Sequence, residues 1–492
     1  MGAPLAAIAY VWLAQAIAFL LMPWSTPLAV RVISIAFWAV AALIIFTVPN
    51  PLTALFLAAV ALLVLAPLAP VKRAGFFLAV APAVPIFIFA PLPFPGINYL
   101  TDITHYKLAA LIVLAPVLLR SVARPSGVSI TAIFLIIYIL YTAIVMGAAS
   151  SLTGGLRFLV DQILIIGVPY FAFHRIIRDQ DDIVLLFQYF LVASLMLAVV
   201  AIVSFVVNSD MYASFSVFPS EFRGGRLRIN TTIGTHALAF HLACALVILE
   251  FLKHRIRISR PHLMAIRLLL LAGMVSADSR GALLGLAAGA SVYLLIMMKS
   301  AAARTLLLSA FLAAGGIGAW WLLQGDVSSY DDYGTFSYRQ ELLLTSVKYI
   351  LSHPVFGDPN FVTSGAFGHL VQGQGIIDIT NLYLQIGLAY GLLGLTLFSI
   401  VFVVPCVAGV LRLLRTERDG DAESESWRSA LAATLSITVG WLFLIMTTSD
   451  VGITLHFGVV FAALSSALRA AQPSTVDTAS SSALLARRPA AP

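Results

Sequence analysis

Charge is scarce in this sequence. Of the 492 residues only 10% are charged while 61% are apolar, and the mean hydropathy is +0.99. That balance leaves too little polar surface to wet a globular domain, so a soluble fold is excluded. Cysteine is nearly absent: Cys244 and Cys406 each sit inside an apolar run, which indicates small membrane-buried residues and neither a disulfide nor a metal site. There is no Walker loop, no dinucleotide fingerprint and no zinc motif, so ATP-driven and redox chemistry have no support and no cofactor is expected. The first apolar run, Leu5 to Leu21, has neither a basic segment before it nor a small-residue cleavage site after it; it reads as a retained span, not a signal peptide. No internal repeat is evident, which argues against an inverted-repeat transporter.

What the chain has instead is a succession of apolar runs of membrane-spanning length. Because only helices or closed barrels satisfy the backbone in lipid, the expectation is an all-α polytopic membrane protein. Spans are placed at 4–22, 28–48, 51–69, 74–93, 105–122, 128–149, 155–174, 183–207, 231–252, 264–278, 281–298, 304–323, 381–412, 428–447 and 451–468. Allowing for one miscount, that is about 14 transmembrane helices, within a range of roughly 12–15. They form a single integral-membrane domain over 1–468, followed by an Ala-, Ser- and Pro-rich tail, 469–492, expected to be a disordered cytoplasmic end.

Basic residues assign the sides. Lys72/Arg73, Arg120/Arg124, Arg175/Arg178, the cluster from Lys253 to Arg267, Lys299/Arg304 and Arg412 to Arg418 fall in alternate loops, as the positive-inside rule expects of cytoplasmic ones. The net charge of +7 therefore belongs to membrane topology, and no nucleic-acid partner is needed to explain it. The outward loops include Phe94 to Thr104, 208–230, the tight turn Asp278-Ser279-Arg280, and a large loop over 324–380.

Several arginines break the rule by lying on the outward side: Arg223, Arg226 and Arg228 in one loop, Arg280 in the turn, and Arg339 in the large loop. An anionic ligand would explain them, since a guanidinium keeps its charge and donates paired hydrogen bonds to a diphosphate. Contact with lipid headgroups, or pairing with Glu221, Asp278 and Glu341, would also explain them. Arg157 and Asp161, four apart on one helix face, suggest an intramembrane pair acting as a structural lock or lining a cavity, the lock being preferred. His236 and His241 are five apart, poor spacing for shared metal ligation, and are expected to hydrogen-bond neighbouring helices. Asp326, Asp331 and Asp332 read as an acidic loop rim ahead of a cation site.

The large outward loop carries the densest pattern. Arg339 opens an amphipathic helix, Ser337 to Ser352, with Leu343, Val347 and Ile350 near one side, so that it can lie at the membrane interface. The run H353-P-V-F-G357 stops that helix, and Asn381 begins a membrane helix that reaches the pair Gly391 and Gly394. Together with R223-G-G-R-L-R-I-N-T-T-I-G234 and S276-A-D-S-R-G281, this order resembles the O-antigen ligase and O-antigen/exopolysaccharide polymerase superfamily of bacterial membrane proteins. The resemblance covers 223–394.

The resemblance implies a GT-C-like glycosyltransferase of the bacterial inner membrane, with its active site facing the periplasm. Its substrates would be undecaprenyl-diphosphate-linked glycans, one as donor and one as acceptor, and flippase and chain-length or export proteins would be its partners. The diphosphate-binding arginines map to Arg280 and Arg339, with Arg223, Arg226 and Arg228 completing the clamp. In the ligases a His precedes the matching Asn; here Thr380 stands before Asn381, a departure that favours a polymerase of surface or exopolysaccharide repeats over a ligase acting on lipid A-core. Thr380 cannot readily deprotonate a hydroxyl, so the candidate bases are Asp378, which is preferred, and His369; the leaving diphosphate could also take the proton. A lipid-linked sugar transporter is the reading from another class, and Arg157/Asp161 is the one feature on its side.

Overall fold

The computed structural model describes residues 2–95, 98–120, 129–215, 222–223, 226–310, 313, 335–372, 375–415, 422–448 and 454–471. Among these, nine helices are long and apolar enough to cross a membrane. The chain is an all-α, multi-pass membrane protein. In order it runs α1 (Gly2–Leu21), α2 (Leu28–Thr47), α3 (Pro51–Leu65), α4 (Pro70–Val80), strand β1 (Phe89–Pro91) and strand β2 (Asp102–Thr104). Then come α5, which begins at His105–Ala109 and passes through a π turn at Ala110–Leu114 into Ala115–Arg120, α6 (Ile130–Ala149), α7 (Leu152–Ile176) and α8 (Gln180–Val206). A short ribbon, β3 (Phe222–Arg223) with β4 (Arg226–Leu227), precedes α9 (Thr235–Leu252), α10 (Arg260–Ala277), α11 (Arg280–Met297) and α12 (Ala301–Ala310). The chain continues with α13 (Thr335–Ser352), α14 (Leu382–Arg415), α15 (Ala422–Leu444) and α16 (Thr454–Ala471).

Helix α8 is buried along most of its length and forms the middle of the bundle. The basic bends meet at one end: Ser25 Oγ donates to the Arg257 carbonyl at 3.3 Å, Arg304 Nη1 to the Leu414 carbonyl at 3.4 Å, and Arg428 to the carbonyls of Ile296 and Leu413. The opposite end gathers the β1–β2 hairpin, the loop before α9, the Asp278-Ser279 turn, α13 and the turn after α15.

The expected span over 74–93 stops short. Helix α4 ends at Val80, and Pro82, Pro85 and Pro91 lead instead into the β1–β2 hairpin, because each proline removes a helical donor and clashes with the preceding turn. Ile86 N donates to the Thr232 carbonyl at 3.0 Å, so the loop before α9 satisfies this irregular ledge. Most of the expected span 304–323 and of the tail 469–492 lies outside the described residues, as do Glu221, Asp326, Asp331 and Asp332. Both cysteines are buried and unpaired.

The Arg157–Asp161 pair is corrected. Asp161 accepts from Lys107 Nζ at 2.6 Å and from the Thr101 hydroxyl, while Arg157 Nε donates to the Tyr99 carbonyl at 2.8 Å with its guanidinium carbon 3.8 Å from that ring's centroid. The lock is real but joins α7 to the β1–β2 hairpin and α5, because the buried Lys107 ammonium needs the carboxylate more than the partly wetted arginine does. Asp161→Leu leaves that ammonium without a counter-charge, and about 3–5 kcal/mol of lost stability is expected. Lys107→Met with Asp161→Leu should recover most of it, as read from melting of the detergent-solubilised protein. A double variant no more stable than Asp161→Leu alone would refute this.

Helix α14 is broken where the sequence has its first paired glycine. Gly391 adopts φ 66°, ψ −171°, and the His353–Gly357 turn inserts at the break. Leu392 N donates to the Pro354 carbonyl at 2.8 Å and Asp358 N to the Leu388 carbonyl at 2.7 Å, replacing the helical bonds lost. Tyr141 on α6 pins the junction: its hydroxyl reaches the Tyr390 carbonyl at 2.8 Å and the Val355 carbonyl at 3.1 Å.

Candidate active site at one end of the bundle

The site is built from a glycine ridge. Gly281, Gly285 and Gly289 recur every four residues on α11, so they share one face. A Cβ on Gly285 would come within 2.7 Å of the Gly440 carbonyl oxygen, and one on Gly289 within 2.6 Å of the Ser436 carbonyl oxygen. With no side chain in the way, the backbones of α11 and α15 approach closely, as small-residue ridges allow in membranes. The same ridge carries Gly281 to the turn after α15, where a Cβ would meet the Thr447 hydroxyl. The start of α11, where Arg280 stands, is therefore held against the Thr447 turn.

Arg339 arrives at the same place from α13, its Nη2 donating to the Thr447 carbonyl at 3.5 Å. Both arginines are exposed, and among the described residues Arg280 has no hydrogen bond or ion pair of its own. The start of α11, which carries Arg280, and the Arg339 side chain, nearly sixty residues apart in the chain, thus adjoin the same turn. Leu382 N also donates to the Ile445 carbonyl at 2.9 Å, which fixes the start of α14 to that turn.

The remaining expected residues sort around this junction. Asp378 is half-buried and is gripped through its backbone, whose N–H donates to the Tyr338 hydroxyl at 3.0 Å while its carbonyl accepts from that hydroxyl at 2.9 Å. Tyr338 precedes Arg339 on α13, so the Asp378 backbone is fixed to the helix that carries Arg339. Burial and then the nearby Asp378 charge raise the Tyr338 phenol above its usual range, although its hydrogen bonds to Asp378 and Gln372 oppose the shift. The phenol therefore stays protonated and able to donate. Thr380 N closes a tight turn onto the Asp378 carbonyl at 3.0 Å. Asn381 caps α14, its side-chain oxygen accepting from Tyr383 N at 2.9 Å and Leu384 N at 3.2 Å. His369 stands further along the loop, its Nε2 at 3.4 Å from Glu341 on α13, both side chains about half exposed.

Arg228 Nη2 reaches the Thr235 hydroxyl at 3.4 Å at the start of α9. Arg223 and Arg226 face each other in the β3–β4 ribbon, but their side chains lie outside the described residues. Ile229 N donates to the Ser276 carbonyl at 3.2 Å, bringing this loop against the turn that carries Arg280. Of the two histidines, His236 hydrogen-bonds as expected, Nδ1 to Ser279 Oγ at 2.8 Å. His241 does not: it stacks on Phe190 with centroids 4.1 Å apart, and neither ring nitrogen has a hydrogen-bond partner among the described residues.

Helix α13 also differs from its expected facing. Ile350 is buried with Leu342 against α14, where Gly387 makes room for it, while Leu343, Leu344, Val347 and Leu351 form the exposed apolar side. One apolar ridge docks the helix and the other is left outward, beside the exposed Val355 and Phe356 of the turn that follows. A cavity of about 330 Å³ lies on the other flank of α14, walled by Tyr138, Phe158, Phe361, Leu382, Ile386 and Phe398, with Gln162 and Gln385 as its polar groups. Thr447 and Tyr338 were not singled out from the sequence, since a lone Thr or Tyr in an apolar chain carries no signal of what it touches.

Fold and site define a class: a multi-pass membrane protein whose bundle carries two exposed arginines, on elements that adjoin one turn, at the end away from its basic bends. Residues 265–399 match the O-antigen ligase family model, which supports placing the chain in the O-antigen ligase-like superfamily of glycosyltransferase-like enzymes. The match takes in Arg280, Arg339, Asp378 and the broken helix, and it is consistent with lipid-linked glycan substrates. The search of curated proteins found no match to the chain.

Proposed function

We propose that the protein polymerises undecaprenyl-diphosphate-linked oligosaccharide repeats into a surface or secreted polysaccharide. The reaction runs at the periplasmic face of the bacterial inner membrane, on a GT-C-like fold of about fourteen spans. The observation that carries this reading is that the Arg339 guanidinium and the start of α11, which carries Arg280, both adjoin the Thr447 turn. Glycosyl transfer from a lipid diphosphate needs the charge developing on the leaving group to be neutralised and the proton of the attacking hydroxyl to be accepted. Arg280 and Arg339 serve the first need, with Arg228 on the adjoining loop. Arg280 is also the first residue of α11, where exposed N–H groups and the helix dipole favour an anion.

Asp378 serves the second need, positioned by Tyr338 on the same helix as Arg339. The cavity flanking α14 starts at Leu382, directly beside the turn that holds Arg339, and its aromatic walls suit the isoprenoid chain of a lipid carrier. The outward apolar ridge of α13 lies in the membrane interface and keeps Arg339 at the level of the diphosphate. Thr380 in place of a histidine favours polymerisation over attachment to lipid A-core. The glycan phenotype of a deletion strain decides between the two. Accumulation of single lipid-linked repeats is the expected result, and long lipid-linked polymer that is never attached would assign a ligase instead.

A further inference from the structure

Among the described residues the buried cations have acceptors, with one exception. Arg73 donates to the Val113 carbonyl at 3.0 Å and the Ile112 carbonyl at 2.7 Å, Lys107 to the Asp161 carboxylate, and Arg428 to the carbonyls of Leu413 and Ile296. Arg31 is placed as deeply, with 7% of its surface exposed, yet among the described residues its guanidinium makes no hydrogen bond or ion pair. What it touches is aromatic. Its guanidinium carbon lies 5.3 Å from the ring centroid of Phe19 on α1 and 5.6 Å from that of Trp24, in the turn between α1 and α2. Ring faces attract the charge but leave its five N–H groups without the oxygen acceptors that water would supply. A guanidinium withdrawn from water in this way is destabilising unless an anion from outside the chain meets it.

The surroundings suit a phosphate. Arg31 stands in the first turn of α2, where the helix dipole disfavours a lone cation and favours an anion. That turn has no acidic residue, and its cap, Pro27, offers no side chain to the first N–H groups. Helical side chains lean toward their helix N-terminus, so the guanidinium points to the α1–α2 turn, as its contacts with Phe19 and Trp24 agree. The turn lies at the end where the basic bends meet: Ser25 Oγ donates to the Arg257 carbonyl at 3.3 Å, and His262 Nε2 is 2.6 Å from the Leu21 carbonyl oxygen. The carboxylate of that bend, Glu250, is already held by Lys253 and Arg267. Trp24 is 78% exposed, and Leu20, Leu28 and Val32 of the same two helix ends are exposed apolar side chains, as at a lipid boundary. We propose that Arg31 and the first turn of α2 form a phosphate-binding site at the end that the charge bias assigns to the cytoplasm. The phosphate is carried by an anionic phospholipid headgroup or is free in solution, and the lipid-facing side chains around the site favour the headgroup. The site is separate from the arginines of the opposite end and does not depend on the reaction proposed there.

The test uses the full chain, stripped of co-purified lipid, in dodecyl maltoside, an uncharged detergent without phosphate, and reads thermal unfolding. In detergent alone the guanidinium is unpaired, so Arg31→Met should unfold at the same temperature as wild type or a few degrees above it. With phosphatidylglycerol added the order should reverse, wild type standing a few degrees higher. Native mass spectrometry should then find a phosphatidylglycerol retained by wild type and lost from the variant. Arg260→Gln removes an exposed cation of the same end and should show no reversal, which separates a built site from diffuse attraction to anionic lipid. Inorganic phosphate in place of the lipid distinguishes the sources: no change in wild type assigns the headgroup, and a rise equal to that with phosphatidylglycerol assigns the free anion. Should Arg31→Met fail to insert, Arg31→Gln, which keeps two N–H donors without the charge, is ranked in the same way. A variant that keeps one rank against wild type in detergent, with phosphatidylglycerol and with phosphate overturns the proposal, as does a reversal of equal size in Arg260→Gln.

Discussion

Arg280→Ala and Arg339→Ala are each expected to lower polymer formation by about 10²–10³-fold while leaving the protein inserted in the membrane at normal levels. The magnitude follows from where charge develops. When the glycosidic bond to the diphosphate breaks, negative charge grows on the leaving oxygens at a low-dielectric membrane edge, where each charge-assisted donor is worth more than in water. Both side chains are exposed, and among the described residues the Arg339 side chain makes a single long hydrogen bond, 3.5 Å to the Thr447 carbonyl. Their loss should therefore act on turnover, not on folding. Lysine at either position keeps the charge but not the paired donors, so it should restore only part of the rate. The two substitutions together should cost less than the product of their separate effects if both clamp one diphosphate. The measurement is the rate of chain extension in membranes normalised for inserted protein. A full rate in either single variant would mean that its arginine touches lipid headgroups and not the substrate.

Gly391→Ala should remove most folded protein, cutting the inserted level by about tenfold or more. The backbone there lies in a region that only glycine occupies readily, a strain of roughly 1–3 kcal/mol for any other residue. An added Cβ would also fall 2.3 Å from the Val355 carbonyl oxygen, a backbone atom that cannot swing aside. Gly357→Ala meets the same junction from the other side, with φ 67° and a Cβ 2.4 Å from Gly391 N. Two further glycines separate strain from collision. Gly365 has φ 79° in open space, and Gly368 has neither positive φ nor any neighbour within 4 Å. The expected order of damage is Gly391→Ala, then Gly365→Ala, then Gly368→Ala with no effect. Should Gly391→Ala insert as well as Gly368→Ala, the inserted turn is not what holds α14 open.

Much of the site's inventory could be read in advance, but not its wiring. Arg280 and Arg339 stood out because each breaks the charge bias of an outward loop; Gly391 and Gly394 after Asn381 carried the resemblance, but the span over 381–412 was expected to run unbroken. Asn381 itself proved to be an α14 cap, an ordinary duty that a motif does not distinguish from a chemical one. The Arg157–Asp161 pairing failed because four-residue spacing gives a shared face, not a shared partner; Asp161 found Lys107, which is 54 residues away. Ile350 was assigned to the lipid side of its helix by periodicity alone, whereas α13 carries an apolar ridge on both flanks and the buried one is chosen by Gly387 across the contact.

By itself the sequence determined that the chain is a bundle of membrane helices, which bends are basic, and that cationic groups lie where charge is otherwise kept away. Those features follow from local chemistry, because lipid requires every backbone group to be bonded within its own helix and excludes charge wherever it has no reason to be. Only the tertiary structure decided that α11 and α15 touch along a glycine ridge, that the start of α11 is thereby set against the Thr447 turn that Arg339 also reaches, and that α14 opens at Gly391 to take the His353–Gly357 turn. In a chain this apolar a hydrophobic residue fits lipid and protein equally well. Which helix it meets is settled by backbone approach and polar contacts between distant segments, and composition and period do not record either.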